Sequence, residues 1–139
     1  MIKIWNLLAI AVISLSSSSG YAQEHIVKMV SDDMGRPAFV PDDLLIQPGD
    51  VIVWVNADSE ELHNIVADPF GTPRGSELFE SPLIDPSGKW SHKFTQLGTY
   101  HYHCHPHSEE GMLARIVVGR ESLQHELRTE TGSGHKHHH

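Results

Sequence analysis

The sequence contains a single cysteine, Cys104, among 139 residues. One cysteine cannot form a disulfide within the chain, so a scaffold held together by disulfides is excluded. Basic residues are also scarce, because 10 Lys and Arg stand against 18 Asp and Glu, for a formal net charge of -8. Such an acidic chain is a poor candidate for nucleic-acid binding and a plausible partner for a cationic molecule.

Long apolar runs are absent as well. Crossing a bilayer takes about 20 consecutive apolar residues, and no run in the sequence is that long. Residues 1–22 instead have the features of an export signal: Lys3 near the start, an apolar run at 4–15, and Ala22 at a small-residue cleavage site. We expect cleavage after Ala22, a periplasmic or otherwise exported product, and no membrane anchor. The remaining chain is long enough for one domain with one core.

Helical periodicity is missing from the mature region, which consists of short β-prone runs separated by Gly, Pro, Asp and Asn. We expect strands at residues 25–30, 38–40, 44–46, 51–55, 63–67, 90–94, 98–104 and 112–118. Seven or eight short strands predict a single-domain, all-β sandwich over residues 23–119. The long loop at 68–89 should contain a short element or serve a function. Residues 120–139 should form a short helix or a flexible His-rich tail, either native or a cloning addition.

Histidine is abundant, with 12 in the chain, clustered at residues 101–107 and 135–139. This clustering favours metal chemistry. In the first cluster Cys104 is followed by His107 and Met112, and these soft and borderline ligands suit copper better than calcium or magnesium. Two histidines and a cysteine with a weak axial methionine form a type-1 copper site. Cys104 by itself does not distinguish a metal ligand from a structural residue, because a buried cysteine often acts only as a small apolar residue.

Strand alternation predicts which side chains of residues 98–104 point inward. Tyr100, Tyr102 and Cys104 fall on one face and His101 and His103 on the other. The two tyrosines should therefore belong to the core, and Cys104 should point inward at the end of the strand.

A second histidine ligand has to come from a neighbouring strand, and His63 is the candidate. It follows a polar connection and opens an apolar strand. An imidazole at a strand start can face the same end of the sandwich as the 104–112 loop. Asn64 beside it could hydrogen-bond across to that loop and hold the site closed.

These residues together resemble the plastocyanin-like cupredoxins, the small blue copper proteins. The resemblance covers roughly residues 39–119 and includes the Pro-Gly-Asp-Val run at 48–51, His-Asn-Ile-Val at 63–66, Cys-His-Pro-His at 104–107 and Gly-Met at 111–112. It implies a Greek-key β-sandwich with one type-1 copper per chain, held by His63, Cys104, His107 and Met112. It also implies a one-electron carrier between redox partners, not an enzyme.

The sequence departs from this family beside the cysteine, because His103 and His105 flank Cys104. A His-Cys-His triplet also resembles multicopper oxidases and copper nitrite reductases. We interpret His101, His103 and His105 as solvated histidines, with a second copper at a subunit contact as the alternative. The His-rich tail could bind extra copper too. The alternative functions are copper storage or delivery, and a small subunit of an oxidase or a nitrite-reductase-like enzyme with an interfacial second copper.

Acidic pairs lie near the predicted ligands and indicate a docking surface. We expect four carboxylates at the copper end: Glu60, Glu61, Glu109 and Glu110. Leu62, Pro106 and Leu113 should form an apolar patch around an exposed edge of His107. An apolar patch with an acidic border suits brief docking of a cationic partner, such as a c-type cytochrome or a copper-containing oxidoreductase.

Overall fold

The computed structural model describes residues 22–120. The predictions for the export signal at 1–22 and for a short helix or His-rich tail at 120–139 therefore lie outside the described residues, except at residues 22 and 120. Eight strands and one short 3₁₀ helix, Ser108–Glu110, are present in this range. The strands are β1 Glu24–Ser31, β2 Pro37–Val40, β3 Asp43–Ile46, β4 Val51–Asn56, β5 Val66–Ala67, β6 Lys89–Lys93, β7 Gly98–His103 and β8 Leu113–Val118. No helix of the described part is long and apolar enough to span a membrane.

The strands form two four-stranded sheets, ordered β2-β1-β4-β6 and β3-β8-β7-β5. Strand β1 runs parallel to β4, and β3 runs parallel to β8. The other neighbours are antiparallel. The predicted all-β sandwich is confirmed, and β7 and β8 lie side by side in the second sheet. The loop between them contains residues 104–112, so the cysteine-containing loop leaves one end of the sandwich.

The two sheets meet at Trp54 of β4 and Tyr102 of β7. Both side chains are buried, and the Trp54 indole Nε1–H donates to the Tyr102 hydroxyl at 3.3 Å. Their rings meet edge to face with centroids 5.6 Å apart, a favourable aromatic arrangement. Because burial is the main influence on the Tyr102 hydroxyl, its pKa is raised and the group stays neutral. This contact anchors β7 two residues before Cys104.

The strand predicted at 63–67 is shorter than expected. Only Val66–Ala67 pairs as β5, while His63 makes an isolated bridge with Ile84. The Ile65 N–H donates to the Ser81 hydroxyl on the opposing segment and not to a backbone carbonyl. This side-chain hydrogen bond interrupts the ladder between the two segments. The long loop contributes Phe79 and Ile84 to the core. Its short bridges to residues 63 and 66 agree with the expectation of an element within this loop.

Asp50 ties the start of β1 to the turn before β4. Its buried carboxylate accepts hydrogen bonds from the backbone N–H groups of Gln23 and Gln47, at 2.9 and 3.0 Å. It also contacts His25 Nε2 at 2.9 Å. Burial alone would raise the pKa of Asp50, but these hydrogen bonds outweigh it and the pKa is lowered.

We expect Asp50→Asn to flatten the acid dependence of stability. Because the pKa of Asp50 is lowered in the folded state, its carboxylate stabilises the fold at pH values above its ordinary pKa of 3.8. That stabilisation disappears as the pH falls through the lower folded pKa. Denaturant unfolding at pH values from about 7 to about 2 should therefore show a smaller loss of stability in D50N than in wild type. An unchanged acid dependence in D50N would contradict this role, and exposed Asp33→Asn is the matched control.

Candidate metal centre

Three chain segments supply the predicted ligands. His63 lies in the connection between β4 and β5, Cys104 directly follows β7, and His107 and Met112 lie in the loop before β8. The predicted alternation along β7 is confirmed, since Tyr100, Tyr102 and Cys104 are buried and His101 is exposed. The cysteine therefore points into the sandwich at the same end as His63.

The donor atoms of His63, Cys104 and His107 all lie within 4.8 Å of one another. The distance from His63 Nδ1 to Cys104 Sγ is 3.7 Å, and the two imidazole centroids are 5.0 Å apart. Across residues 22–120 this is the one group of three or more His, Cys, Asp or Glu side chains placed to hold a metal ion. Tertiary folding thus joins residues 41 positions apart in the chain.

Met112 is held against this group by backbone hydrogen bonds. The Cys104 N–H donates to the Met112 carbonyl at 3.1 Å, and the Met112 N–H donates to the His107 carbonyl at 3.3 Å. The Met112 side chain is fully buried. Gly111 precedes it with φ of 81°, a left-handed conformation that costs glycine little and closes the turn after the 3₁₀ helix. The loop therefore returns to the cysteine at Met112.

The environment of Cys104 favours the neutral thiol before metal binds. Burial raises the pKa of Cys104, while hydrogen bonds from the backbone N–H groups of Asn64 and His107 act in the opposite direction. A metal ligand must be the thiolate, so binding has to displace the Cys104 proton. The same two N–H groups are then placed to stabilise the sulfur charge.

His63 is buried, with no exposed side-chain surface. Burial lowers the pKa of His63, and the nearby Asp58 carboxylate only partly opposes this effect. At neutral pH the imidazole is therefore uncharged, which is the form that binds metal. Its Nδ1 faces the Cys104 sulfur at 3.7 Å, and its Nε2 lies 3.2 Å from Asp58 Oδ2.

Asp58 is a site residue that sequence reasoning missed. It belongs to the polar connection after β4, and nothing in the spacing distinguishes it from Glu60 or Glu61. The only available indication was a carboxylate five residues before a candidate histidine ligand. Its contact with His63 depends on how the connection folds back over the end of the sandwich.

Asn64 makes the hydrogen bond predicted for it. Its side-chain oxygen accepts the N–H of His105 at 2.8 Å. The bond joins the segment of His63 directly to the segment of Cys104. Loss of this contact would free the two ligand segments to move relative to each other.

His107 is the ligand candidate nearest solvent, with 13% of its side chain exposed. Glu110 Oε1 lies 3.2 Å from its Nδ1, and Glu61 Oε2 lies 3.7 Å from its Nε2. The expectation of carboxylates at this end is confirmed for these two residues. Leu62 and Leu113 are 40% and 59% exposed, and Pro106 is exposed as well.

The family is decided by comparison with known proteins. Residues 25–119 match the family described as copper binding proteins of the plastocyanin/azurin family. The chain belongs to the plastocyanin/azurin family. The match includes all four predicted ligands and nearly the whole described range.

Individual relatives agree with this assignment. The plastocyanin of Nostoc punctiforme is 33% identical over 121 residues, spanning 81% of this chain and 86% of the relative. A pseudoazurin structure from Sinorhizobium superposes with a TM-score of 0.62 at 27% identity, covering 81% of this chain and 99% of that one. A Cu-containing nitrite reductase from Thermus scotoductus has a TM-score of 0.59 at 26% identity, covering 70% of this chain but 22% of that one.

The donor set of this plastocyanin/azurin-family chain fits copper. A thiol, two imidazoles and a thioether converge at one end of the sandwich, and three of the four side chains are fully buried. This is the His₂Cys set with a methionine that defines a type-1 site. Hard-cation sites require several oxygen ligands, which this enclosed group does not provide.

The histidines flanking Cys104 lie outside this group. His105 is exposed, His103 is half-buried, and their ring centroids are 6.4 Å apart. Within residues 22–120 no third His, Cys, Asp or Glu joins them in a metal-binding cluster. A second copper at this pair would need further ligands from outside the described residues, and the second copper at a subunit contact stays a prediction.

Proposed function

We propose that this protein is an exported type-1 copper protein that carries single electrons between redox partners. The observation that supports it most directly is the convergence of the His63, Cys104 and His107 donor atoms within 4.8 Å, beside buried Met112. Copper bound by such a set exchanges one electron between Cu(I) and Cu(II). Four protein ligands complete a type-1 site, so we propose a carrier and not an enzyme.

The scaffold supports this function by holding the ligands still. Cys104 and Met112 are joined through the backbone, and Asn64 joins the two ligand segments through the His105 N–H. Fixed ligands undergo little rearrangement when the metal changes charge, and this favours fast electron transfer. Electrons would leave through the partly exposed edge of His107.

Titration of the mature chain with Cu(II), followed by absorption and electron paramagnetic resonance, tests this proposal. We expect one strongly coloured copper per chain. Additional, weakly coloured copper would instead favour a storage or delivery protein, or an enzyme subunit with interfacial copper. Ready transfer of copper to a chelator would indicate a storage or delivery protein. Turnover of oxygen or nitrite by an oligomer would indicate an enzyme subunit.

The partner we propose is a cationic redox protein, such as a c-type cytochrome or a copper-containing oxidoreductase. Glu61 and Glu110 lie at the His107 edge, and Glu60 and Glu109 are exposed beside them in the chain. Together with the net charge of -8, these carboxylates would attract a positively charged protein and accelerate encounter at low salt.

Replacing Glu60 and Glu109 by glutamine should weaken the ionic-strength dependence of electron transfer to a cationic cytochrome. This double variant leaves the two carboxylates that contact His107 in place. We expect the rate constant at low salt to fall about 3-fold, with little change at high salt. Stopped-flow kinetics over a salt series would measure both.

The matched control replaces Glu24 and Glu77, two exposed glutamates near the opposite end of the sandwich. It removes the same charge without altering the proposed docking surface. Equal salt slopes for the two double variants would refute a local acidic docking site and leave only an effect of net charge.

A further inference from the structure

The His63 imidazole is fixed from behind by a carboxylate. Asp58 Oδ2 lies 3.2 Å from His63 Nε2, on the opposite side of the ring from the nitrogen that faces Cys104. The Asp58 side chain is 10% exposed and that of His63 is fully buried. A buried neutral imidazole beside a carboxylate donates its N–H to that carboxylate, so Nε2 is the protonated nitrogen.

Asp58 is itself held in place by two other residues. The Ser31 hydroxyl, from the end of β1, donates to the same Oδ2 atom at 2.7 Å. The Asp58 backbone N–H donates to the side-chain oxygen of buried Asn56 at 3.0 Å. The carboxylate is therefore oriented from the first sheet, while Cys104 follows a strand of the second sheet.

We propose that Asp58 is a positioning residue that selects the His63 tautomer and lowers the reduction potential of the copper site. With Nε2–H donated to Asp58, the lone pair of Nδ1 is left free and directed toward the Cys104 sulfur. A carboxylate bonded to the far nitrogen also makes an imidazole a stronger electron donor, which favours Cu(II) over Cu(I). The part concerning potential rests on the copper function proposed above, whereas the tautomer does not.

Two substitutions separate the geometry from the charge. Asp58→Asn keeps an oxygen that can accept from both Ser31 and His63 but removes the negative charge. Asp58→Ala removes both, so the His63 Nε2–H loses its carboxylate acceptor while the Cys104 sulfur remains the contact of Nδ1. Asp33→Asn, an exposed aspartate just beyond β1, removes the same charge as a control.

Long-range ¹⁵N–¹H correlation spectra of the metal-free proteins would report the His63 tautomer. We expect Nε2–H in wild type and D58N, and a shift toward Nδ1–H in D58A. In the copper-loaded proteins we expect Cu(II) affinity to fall about tenfold in D58N, with a smaller change for Cu(I). A full tenfold difference between the two states raises the one-electron potential by about 59 mV.

The proposal is overturned if His63 keeps Nε2–H in D58A, or if the potential of D58N matches that of D33N. A fall in thermal stability alone, with tautomer and potential unchanged, would also overturn it, because it would show a merely structural role. Failure of the copper proposal is separately visible, since wild type would then bind Cu(II) without strong colour. The tautomer of the metal-free protein would still be measurable.

Discussion

Replacing Cys104 by serine should abolish the intense visible absorption that forms when the protein binds Cu(II). The colour of a type-1 site arises from charge transfer between the cysteine thiolate and copper, and Cys104 is the sole cysteine in the sequence. A serine hydroxyl at this buried position does not ionise readily and is a poor copper ligand. We expect affinity to fall by more than the roughly 10- to 100-fold typical of losing a hydrogen bond to a metal ligand.

The measurement is an absorption titration of C104S and wild type with Cu(II), with thermal unfolding of the metal-free proteins as a check on folding. His101→Ala is a suitable control, because it alters an exposed histidine of β7 three residues before the cysteine. The control should keep wild-type colour. Colour of wild-type intensity in folded C104S would show that the sulfur is not a ligand.

Asn56→Ala should destabilise the fold strongly. Asn56 is completely buried at the end of β4, and its amide N–H groups donate to the carbonyls of Glu61 and Ile84 at 2.9 Å each. Its side-chain oxygen accepts the Asp58 N–H. Alanine would leave these backbone groups without partners, which costs about 1–3 kcal/mol for each buried group. We expect the unfolding free energy to fall by about 3 kcal/mol.

Chemical denaturation of the metal-free protein would measure this loss. Gln96→Ala is the matched control, because Gln96 is an exposed amide with one long hydrogen bond, of 3.5 Å, to the Arg74 carbonyl. It should change stability by less than about 0.5 kcal/mol. Similar losses for the two variants would mean that Asn56 does not secure the connection that leads to His63.

Periodicity is enough to predict which side chains of β7 face inward. Alternation places Tyr100, Tyr102 and Cys104 on one face, and the structure buries all three. The strand predicted at 63–67 is too long, because alternation cannot show that Ser81 takes the place of a ladder partner at Ile65. Strand pairing depends on residues far away in the chain, and the alternation of residues within one strand gives no information about them.

The spacing of Cys104, His107 and Met112 is a property of the sequence alone, because a short loop necessarily keeps its own residues close. The position of the His63 donor atom and the support from Asp58 were decided by tertiary structure. His63 reaches the cysteine only when β5 pairs with β7, and Asp58 reaches His63 only when the connection after β4 closes over the site. The physical reason is chain connectivity: bonds along the chain limit the separation of near neighbours, whereas contacts between distant residues form only as the core excludes water.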